Sequence, residues 1–119
     1  MTNLIYKICH SDDWVAAQNA GAFAGVGIDV ADGYIHFSTA SQAQETARLH
    51  FNGRDGLVML TVDTAALGDS LKWEPSRGGE LFPHLYGPLA LEAVRSVRAA
   101  PLDPDGIPQL GTLGDEAAP

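Results

Sequence analysis

The sequence predicts a single small α+β domain, and three observations carry that prediction. The chain has 119 residues, too few for two cores of ordinary size. Its apolar segments read β-α-β-α-β and then continue as several short strands, so both helices come early and the sheet is completed late. The βα alternation then stops, which argues against a doubly wound nucleotide fold. The expected architecture is two early helices packed on short mixed or antiparallel sheets around a cleft. Hydrophobic residues make up 45% and charged residues 18%, a globular rather than a disordered composition.

The elements follow in order. Leu4 to Cys9 is a short apolar run with Ile and Tyr and reads as a strand. Ser11 suits an N-cap, and Asp12 and Asp13 suit the positive end of a helix dipole, so a helix is expected over Asp12–Ala20. It would bury Trp14 and Ala17, with Gly21 as its C-cap. Ala22–Gly33, rich in Gly, Ala and Asp, reads as a loop. Tyr34–Ser38 is the next strand, and a helix starts directly after it. Thr39 and Ser41 both qualify as its cap, because Thr39-x-x-Gln42 and Ser41-x-x-Gln44 both fit a capping box. Ala40, Ala43, Ala47 and Phe51 form a stripe of mostly small residues that lets this helix pack closely. Leu57–Val62 is the most hydrophobic run and the expected central strand. A helical turn capped by Asp63 follows. Then come a short strand at Leu71–Glu74, an exposed turn at Pro75–Glu80, an extended segment at Leu81–Tyr86, a turn at Leu89–Val94 and a final strand at Ser96–Leu102.

Seven Lys and Arg against fifteen Asp and Glu give a formal net charge of -8. That excludes a broad nucleic-acid or anionic-membrane surface, which needs clustered positive charge. Half of the charge falls in residues 103–119, which hold four acids, three prolines, three glycines and neither bases nor aromatics. This segment is expected to be a flexible acidic tail on a domain spanning residues 1–102. The single cysteine, Cys9, excludes an internal disulfide and reads as a buried, inert thiol. No apolar run approaches the ~20 residues of a transmembrane helix, and no signal-peptide pattern opens the chain. A cytoplasmic location is the expectation. Oligomeric state is not readable.

Two groups of residues offer chemistry. His36 and Ser38 alternate on a strand and share a face. The helix that follows adds its N-terminal amides with Thr39 and Gln42, a donor-rich setting for a phosphate or carboxylate. His36 then serves as acid, base or hydrogen-bond donor. The second group is Trp73, Glu74, Arg77, Phe82, His84 and Tyr86. His84 and Tyr86 again stand two apart, and Arg77 is a natural partner for phosphate or carboxylate. Each group also has a purely structural explanation: an ordinary helix cap in the first, core aromatics and a Glu74–Arg77 pair in the second. His10 and His50 read as structural or surface residues. No P-loop, no dinucleotide fingerprint and no His-Glu-x-x-His occurs, and nothing in the spacing demands a metal.

Leu4–Ile8, Gly33-Tyr34-Ile35-His36-Phe37-Ser38-Thr39-Ala40, Trp73-Glu74 and Phe82-Pro83-His84-Leu85-Tyr86-Gly87-Pro88-Leu89 together resemble the bacterial domain-of-unknown-function family 952, over roughly residues 3–102. The resemblance implies an architecture similar to ADP-ribosyltransferase-like domains, which bind NAD in a cleft between two small sheets. It places Lys7 or Tyr6 at the family's first-strand position. Tyr34–Ser38 is similar to the second site strand, as in the His-Leu-Ser of the tRNA 2′-phosphotransferase branch. By the same resemblance His36 would hold a nucleotide ribose, Ser38 and Thr39 would line the pocket, and Arg77 would meet phosphate. His84-x-Tyr86 stands where those transferases carry Glu-x-Glu, and Glu74 and Glu80 are the nearest acids.

Three readings stay open in the sequence. The leading one is a binding module, or divergent ADP-ribosyltransferase-like domain, for a small anionic or nucleotide ligand. The second is an active NAD-dependent ADP-ribosyl-transferring enzyme, with NAD or a related nucleotide as its cofactor. The third is a phosphoesterase using His36 and His84, whose motifs resemble paired His-x-Ser/Thr motifs that hydrolyse cyclic phosphodiesters.

Overall fold

The computed structural model describes residues 4–111 and 113. Its first strand, β1 (Leu4–His10), pairs antiparallel along its full length with β4 (Leu57–Asp63), the expected central strand. β8 (Val94–Ala99) pairs with the other edge of β4, giving the order β1-β4-β8. Both faces of β1 and β4 are covered. Ile5, Cys9, Leu60 and Val62 belong to one core cluster, while Tyr6, Ile8, Leu57 and Met59 belong to the other. Burial on two faces explains why these strands read as unbroken apolar runs instead of alternating ones.

Each face has its own helix. α1 (Ser11–Ala20) buries Ala17 against the first cluster. Its N-cap is His10, whose Nδ1 accepts the Asp12 N–H at 3.1 Å. Ser11, expected as the cap, is instead the first helical residue, because the imidazole reaches the same orphan donor. Gly21 closes the helix at φ 91, as expected. α3 (Ala40–His50) covers the second cluster with Ala43 and Ala47, both fully buried. Of the two candidate caps, Thr39 serves: it forms a capping box with Gln42, and the Thr39 N–H donates to Gln42 Oε1 at 3.0 Å.

Residues 22–33, expected as a loop, contain two elements. β2 (Ala22–Phe23) pairs antiparallel with β7 (Leu89–Ala90), and α2 (Ile28–Asp32) is a single helical turn and a half. Burial of Phe23 and of the Asp29 carboxylate fixes this segment, so it follows from tertiary contacts rather than from local propensity. The α-helices therefore number three among the described residues, not two.

A third sheet completes the domain. β3 (Ile35–His36), β6 (Leu81–Leu85) and β5 (Leu71–Pro75) lie in the order β3-β6-β5, again antiparallel. Every strand pair is antiparallel, as an α+β fold without βα alternation requires. A Tyr6–Ser38 bridge, with backbone bonds of 2.8 Å in both directions, joins this sheet to β1.

The expected tail begins inside the packed chain. Asp103 organises a turn in which its Oδ1 accepts the N–H groups of Asp105 and Ile107. Leu102 bridges Pro108, the Pro108 carbonyl accepts from Gln44, and Leu110 is 1% exposed within the second core cluster. The packed domain thus passes residue 102, because the turn satisfies its own backbone while Pro108 and Leu110 supply apolar burial. Residue 112 and residues 114–119, also assigned to the tail, lie outside the described residues. Among the described residues, no helix is long and apolar enough to cross a membrane.

Candidate functional site

The third sheet has a core face and an outer face. Ile35 and Leu85 are register partners and are both 2% exposed on the core side. Side chains alternate along a strand, so the next register pair, His36 and His84, stands on the outer face. There the two imidazoles meet edge to face, with centroids 5.4 Å apart. Tyr34 and Tyr86 belong to the same face. The Tyr34 ring stacks on His84 at 4.3 Å and lies 4.6 Å from His36 and 5.1 Å from Tyr86. Four aromatic rings from two short segments, 34–36 and 84–86, thus meet, with His84 itself 3% exposed beneath the others.

Carboxylates hold the rings. Asp29, on α2, is 2% exposed. Lys7 Nζ lies 2.9 and 2.8 Å from its two oxygens. Asp29 Oδ1 also accepts the His36 backbone N–H at 3.0 Å and lies 2.7 Å from His36 Nδ1. Burial opposes its charge. The Lys7 ammonium and then the hydrogen bonds from His36 outweigh burial and hold this carboxyl below its usual range. Asp32, at the end of α2, lies 3.0 Å from His36 Nε2. On the other side, Glu74 Oε1 accepts from His84 Nδ1 at 2.7 Å and from the Tyr86 hydroxyl at 2.8 Å. Those two hydrogen bonds lower the Glu74 carboxyl, and the bond to Glu74 raises the Tyr86 phenol. Both ion-pair hubs therefore favour ionised carboxylates that fix the orientation of an imidazole.

A second polar group borders the first. Arg77 lies over the Phe82 ring, with Cζ 4.9 Å from its centroid. Its Nη1 donates to Thr46 Oγ1 at 3.2 Å, and that hydroxyl shares a 2.9 Å hydrogen bond with Ser38. Phe82 is two residues from His84 on β6 and therefore shares the outer face, which sets Arg77 one side chain away from the rings.

The structure brings His36, His84, Tyr86 and Glu74 into one cluster and puts Ser38 and Arg77 beside it. Lys7 reaches it from beneath, through Asp29. Thr39 and Gln42 are used differently from the expectation. They close the start of α3 upon itself, and Gln42 Nε2 is further taken up by Glu80 Oε1 and the Leu81 carbonyl. The expected open, donor-rich helix start is thereby filled by the chain's own acceptors. Trp73 is also displaced from the expected role. It pairs with the deeply buried Pro83, so alternation sends it to the face opposite Glu74. His10 caps α1 and His50 ends α3, both structural or surface positions as expected. Cys9 is buried, and desolvation pushes its thiol up to about 11 against the opposing charge of Lys7. No group of three His, Cys, Asp or Glu among the described residues is placed to hold a metal ion.

Sequence reasoning missed Asp29, Asp32 and Thr46, and it saw Tyr34 only as part of a motif. One signal for Asp29 did exist. Gly25, at φ 96, lies so close that a Cβ there would stand 2.7 Å from the Asp29 Cβ. A glycine cluster can mark the approach of backbone to a buried side chain as well as a loop.

The model for a protein of unknown function, DUF952, matches residues 8–97. The chain is similar to protein CC0527 from Caulobacter crescentus. The crystal structure of that protein shares 50% identity and a TM-score of 0.89, over 98% of this chain and 99% of that one. A crystal structure of its double mutant gives 49% identity and 0.89. Its solution structure gives 50% identity and 0.81, over 97% of each chain. No curated protein matches.

Proposed function

The chain belongs to the DUF952 family, and we propose that its domain binds a nucleotide-class ligand, such as NAD or ADP-ribose, on the outer face of the β3-β6-β5 sheet, as a divergent ADP-ribosyltransferase-like binding module. One observation carries this reading: Tyr34, His36, His84 and Tyr86 gather their rings on that face and are held there by Glu74 and Asp29. Aromatic faces stack purine and nicotinamide rings. The Glu74 carboxylate is an acceptor for ribose hydroxyls, and Arg77, beyond Phe82, is a bidentate donor for phosphate. The anionic part of the ligand then meets one guanidinium at the edge, which a domain with an overall negative charge can accommodate. A cytoplasmic location, where such nucleotides are abundant, belongs to the same reading.

Titration calorimetry with ADP-ribose and with NAD tests it. Heat and a rise in melting temperature are expected for the wild type, with binding weakened at least about tenfold in Tyr34→Ala, which removes a stacking surface of roughly 1–3 kcal/mol. A wild type that shows neither heat nor a shift at saturating ligand refutes the module.

A second reading, active ADP-ribosyl transfer, gains support from Glu74. The acid pair of the ADP-ribosyltransferases has no counterpart in His84-x-Tyr86, yet the Glu74 carboxylate reaches the same face from the neighbouring strand β5. Release of nicotinamide from NAD, lost in Glu74→Gln, distinguishes this enzyme from the module.

A further inference from the structure

We infer that the domain holds a second small-molecule site, for a free apolar α-amino acid, in a cavity at the open edge of β1. The cavity has a volume of about 360 Å³, and the four consecutive residues Lys7–His10 form part of its lining. Consecutive strand residues face opposite ways, so only a space at the strand's edge touches all four. β4 fills one edge of β1, and the cavity therefore lies along the other. Its size is that of a small-molecule site, about 300–1,000 Å³.

The phase of the hydrogen bonds shows what this edge offers. Ser11 N–H donates to the Gly56 carbonyl and so continues the β1–β4 ladder, while Tyr6 exchanges both of its backbone bonds with Ser38. Odd-numbered residues of β1 thus bond to β4, and even-numbered ones point away from it. Ile8 follows Tyr6 in that series. Its partner across the gap would be His36, but the His36 N–H is taken by Asp29 Oδ1 at 3.0 Å. β1 and β3 part there, and the Ile8 N–H and C=O have no hydrogen-bond partner among the described residues. A main-chain donor and acceptor stand side by side at the cavity, a pair that needs a partner from outside the fold.

The rest of the lining sets the ligand's chemistry. Lys7 is spent on Asp29, and His10 on the cap of α1. Arg54, Asp13 and Asp55 also line the cavity. None of the three forms an ion pair among the described residues, although Asp55 Oδ1 accepts the Gly56 N–H. One open cation beside two open acids complements a zwitterion better than a simple anion. Arg54 and the Ile8 N–H then take the α-carboxylate, while Asp13 and the Ile8 carbonyl take the α-ammonium. Val26, Ile28, Phe51 and Leu57 supply an apolar wall for the side chain. Arg54 Cζ lies 5.8 Å from the Phe51 ring centroid, which sets the guanidinium beside that wall. Ile28 is 63% exposed at the mouth and is covered by the ligand. The site touches the nucleotide face only through the Lys7–Asp29 pair, so its test does not depend on ADP-ribose binding.

The test is titration calorimetry, with proton–nitrogen correlation spectra, of the full chain against L-leucine and L-phenylalanine. Binding is expected, with the largest amide shifts at Ile8 and its neighbours in β1. Glycine, which lacks the side chain, is expected to bind at least about tenfold more weakly. N-acetyl-leucine and leucinamide each lose one charge, and each is expected to lose at least about tenfold in affinity. Leucine should lose as much on Arg54→Gln and on Asp13→Asn, two positions outside the buried core, with melting temperature reporting that both variants fold. Neither heat nor amide shifts at saturating amino acid overturns the site. Blocked derivatives that bind as tightly as leucine overturn the amino-acid assignment in favour of a peptide laid along β1. Equal affinity in the wild type and both variants, or shifts confined to the β3-β6-β5 sheet, overturns the placement.

Discussion

The β1-β4-β8 sheet and the β3-β6-β5 sheet use the same antiparallel pairing for different ends. The first has strands of seven, seven and six residues, and β1 and β4 have cores on both faces. The second has strands of two, five and five residues and packs its Ile35–Leu85 face inward. Its other face carries imidazoles, phenols and carboxylates. Cohesion in the first sheet comes from apolar volume. On the second sheet's outer face it comes from hydrogen bonds that cross between elements: Asp29 from α2 to β3, and Glu74 from β5 to β6. A face stabilised by polar contacts stays available to a ligand that can replace some of them, whereas a face filled by apolar side chains does not.

The largest effect is expected where the two sheets are tied together. Asp29 joins Lys7 of β1 to His36 of β3. Asp29→Asn leaves the buried Lys7 ammonium without its counter-charge, a loss of about 3–5 kcal/mol. Urea unfolding at neutral pH measures it. The pH dependence has a definite sign. The folded carboxyl lies below its ordinary value of 3.8, so the native state favours the ionised form. That stabilisation is fully present above the ordinary value and is lost as pH falls below it, through the lowered folded value. The wild type should therefore lose stability along this acid limb. Asn, which does not titrate, should shallow it. An acid limb unchanged by the substitution would show that Asp29 does not couple the sheets.

Leu60→Ala tests the apolar half of the contrast. Leu60 sits in the middle of β4 with no exposure, and truncation removes both burial and packing, at about 2–5 kcal/mol. Thermal unfolding should show that loss, while ADP-ribose affinity measured on the folded variant stays within about twofold. A matching collapse of affinity would mean that the outer face depends on the central strand rather than on its own carboxylates.

The difference between the two sheets also explains what was legible in the sequence. Leu57–Val62 announced itself because a strand buried on two faces needs an apolar residue at nearly every position. Thr39 and Gln42 announced α3 because a capping box is local in sequence. His36, His84 and Tyr86 were readable as residues of one strand face through the two-residue period alone. Asp29 was not readable in that way. It lies 22 residues from Lys7 and seven from His36, and no local pattern records a contact made by folding. The packing of residues 103–110 was hidden for a related reason: Pro, Gly and Asp read as disorder unless the turn they form finds a wall, here Gln44 and the second core cluster.

The finest discrimination concerns neighbours on one strand. Trp73 and Glu74 were both candidate ligand residues, and both lie on β5 next to β6. Their register partners decide between them. Trp73 opposes Pro83, which is buried in the core, and Glu74 opposes Phe82, whose ring underlies Arg77. A one-residue step along a strand reverses the face. Glu74→Gln should therefore weaken ADP-ribose binding by about tenfold, because the neutral amide is a poorer acceptor for His84, Tyr86 and a ribose hydroxyl than a carboxylate is. Trp73→Ser, the larger change in volume and in hydrophobicity, should alter that affinity by less than about twofold, since its ring projects away from the ligand. Calorimetry on the two variants side by side decides the matter. If Trp73→Ser were the more damaging, the ligand would lie against the opposite side of β5, and the outer face of the sheet would not be the site.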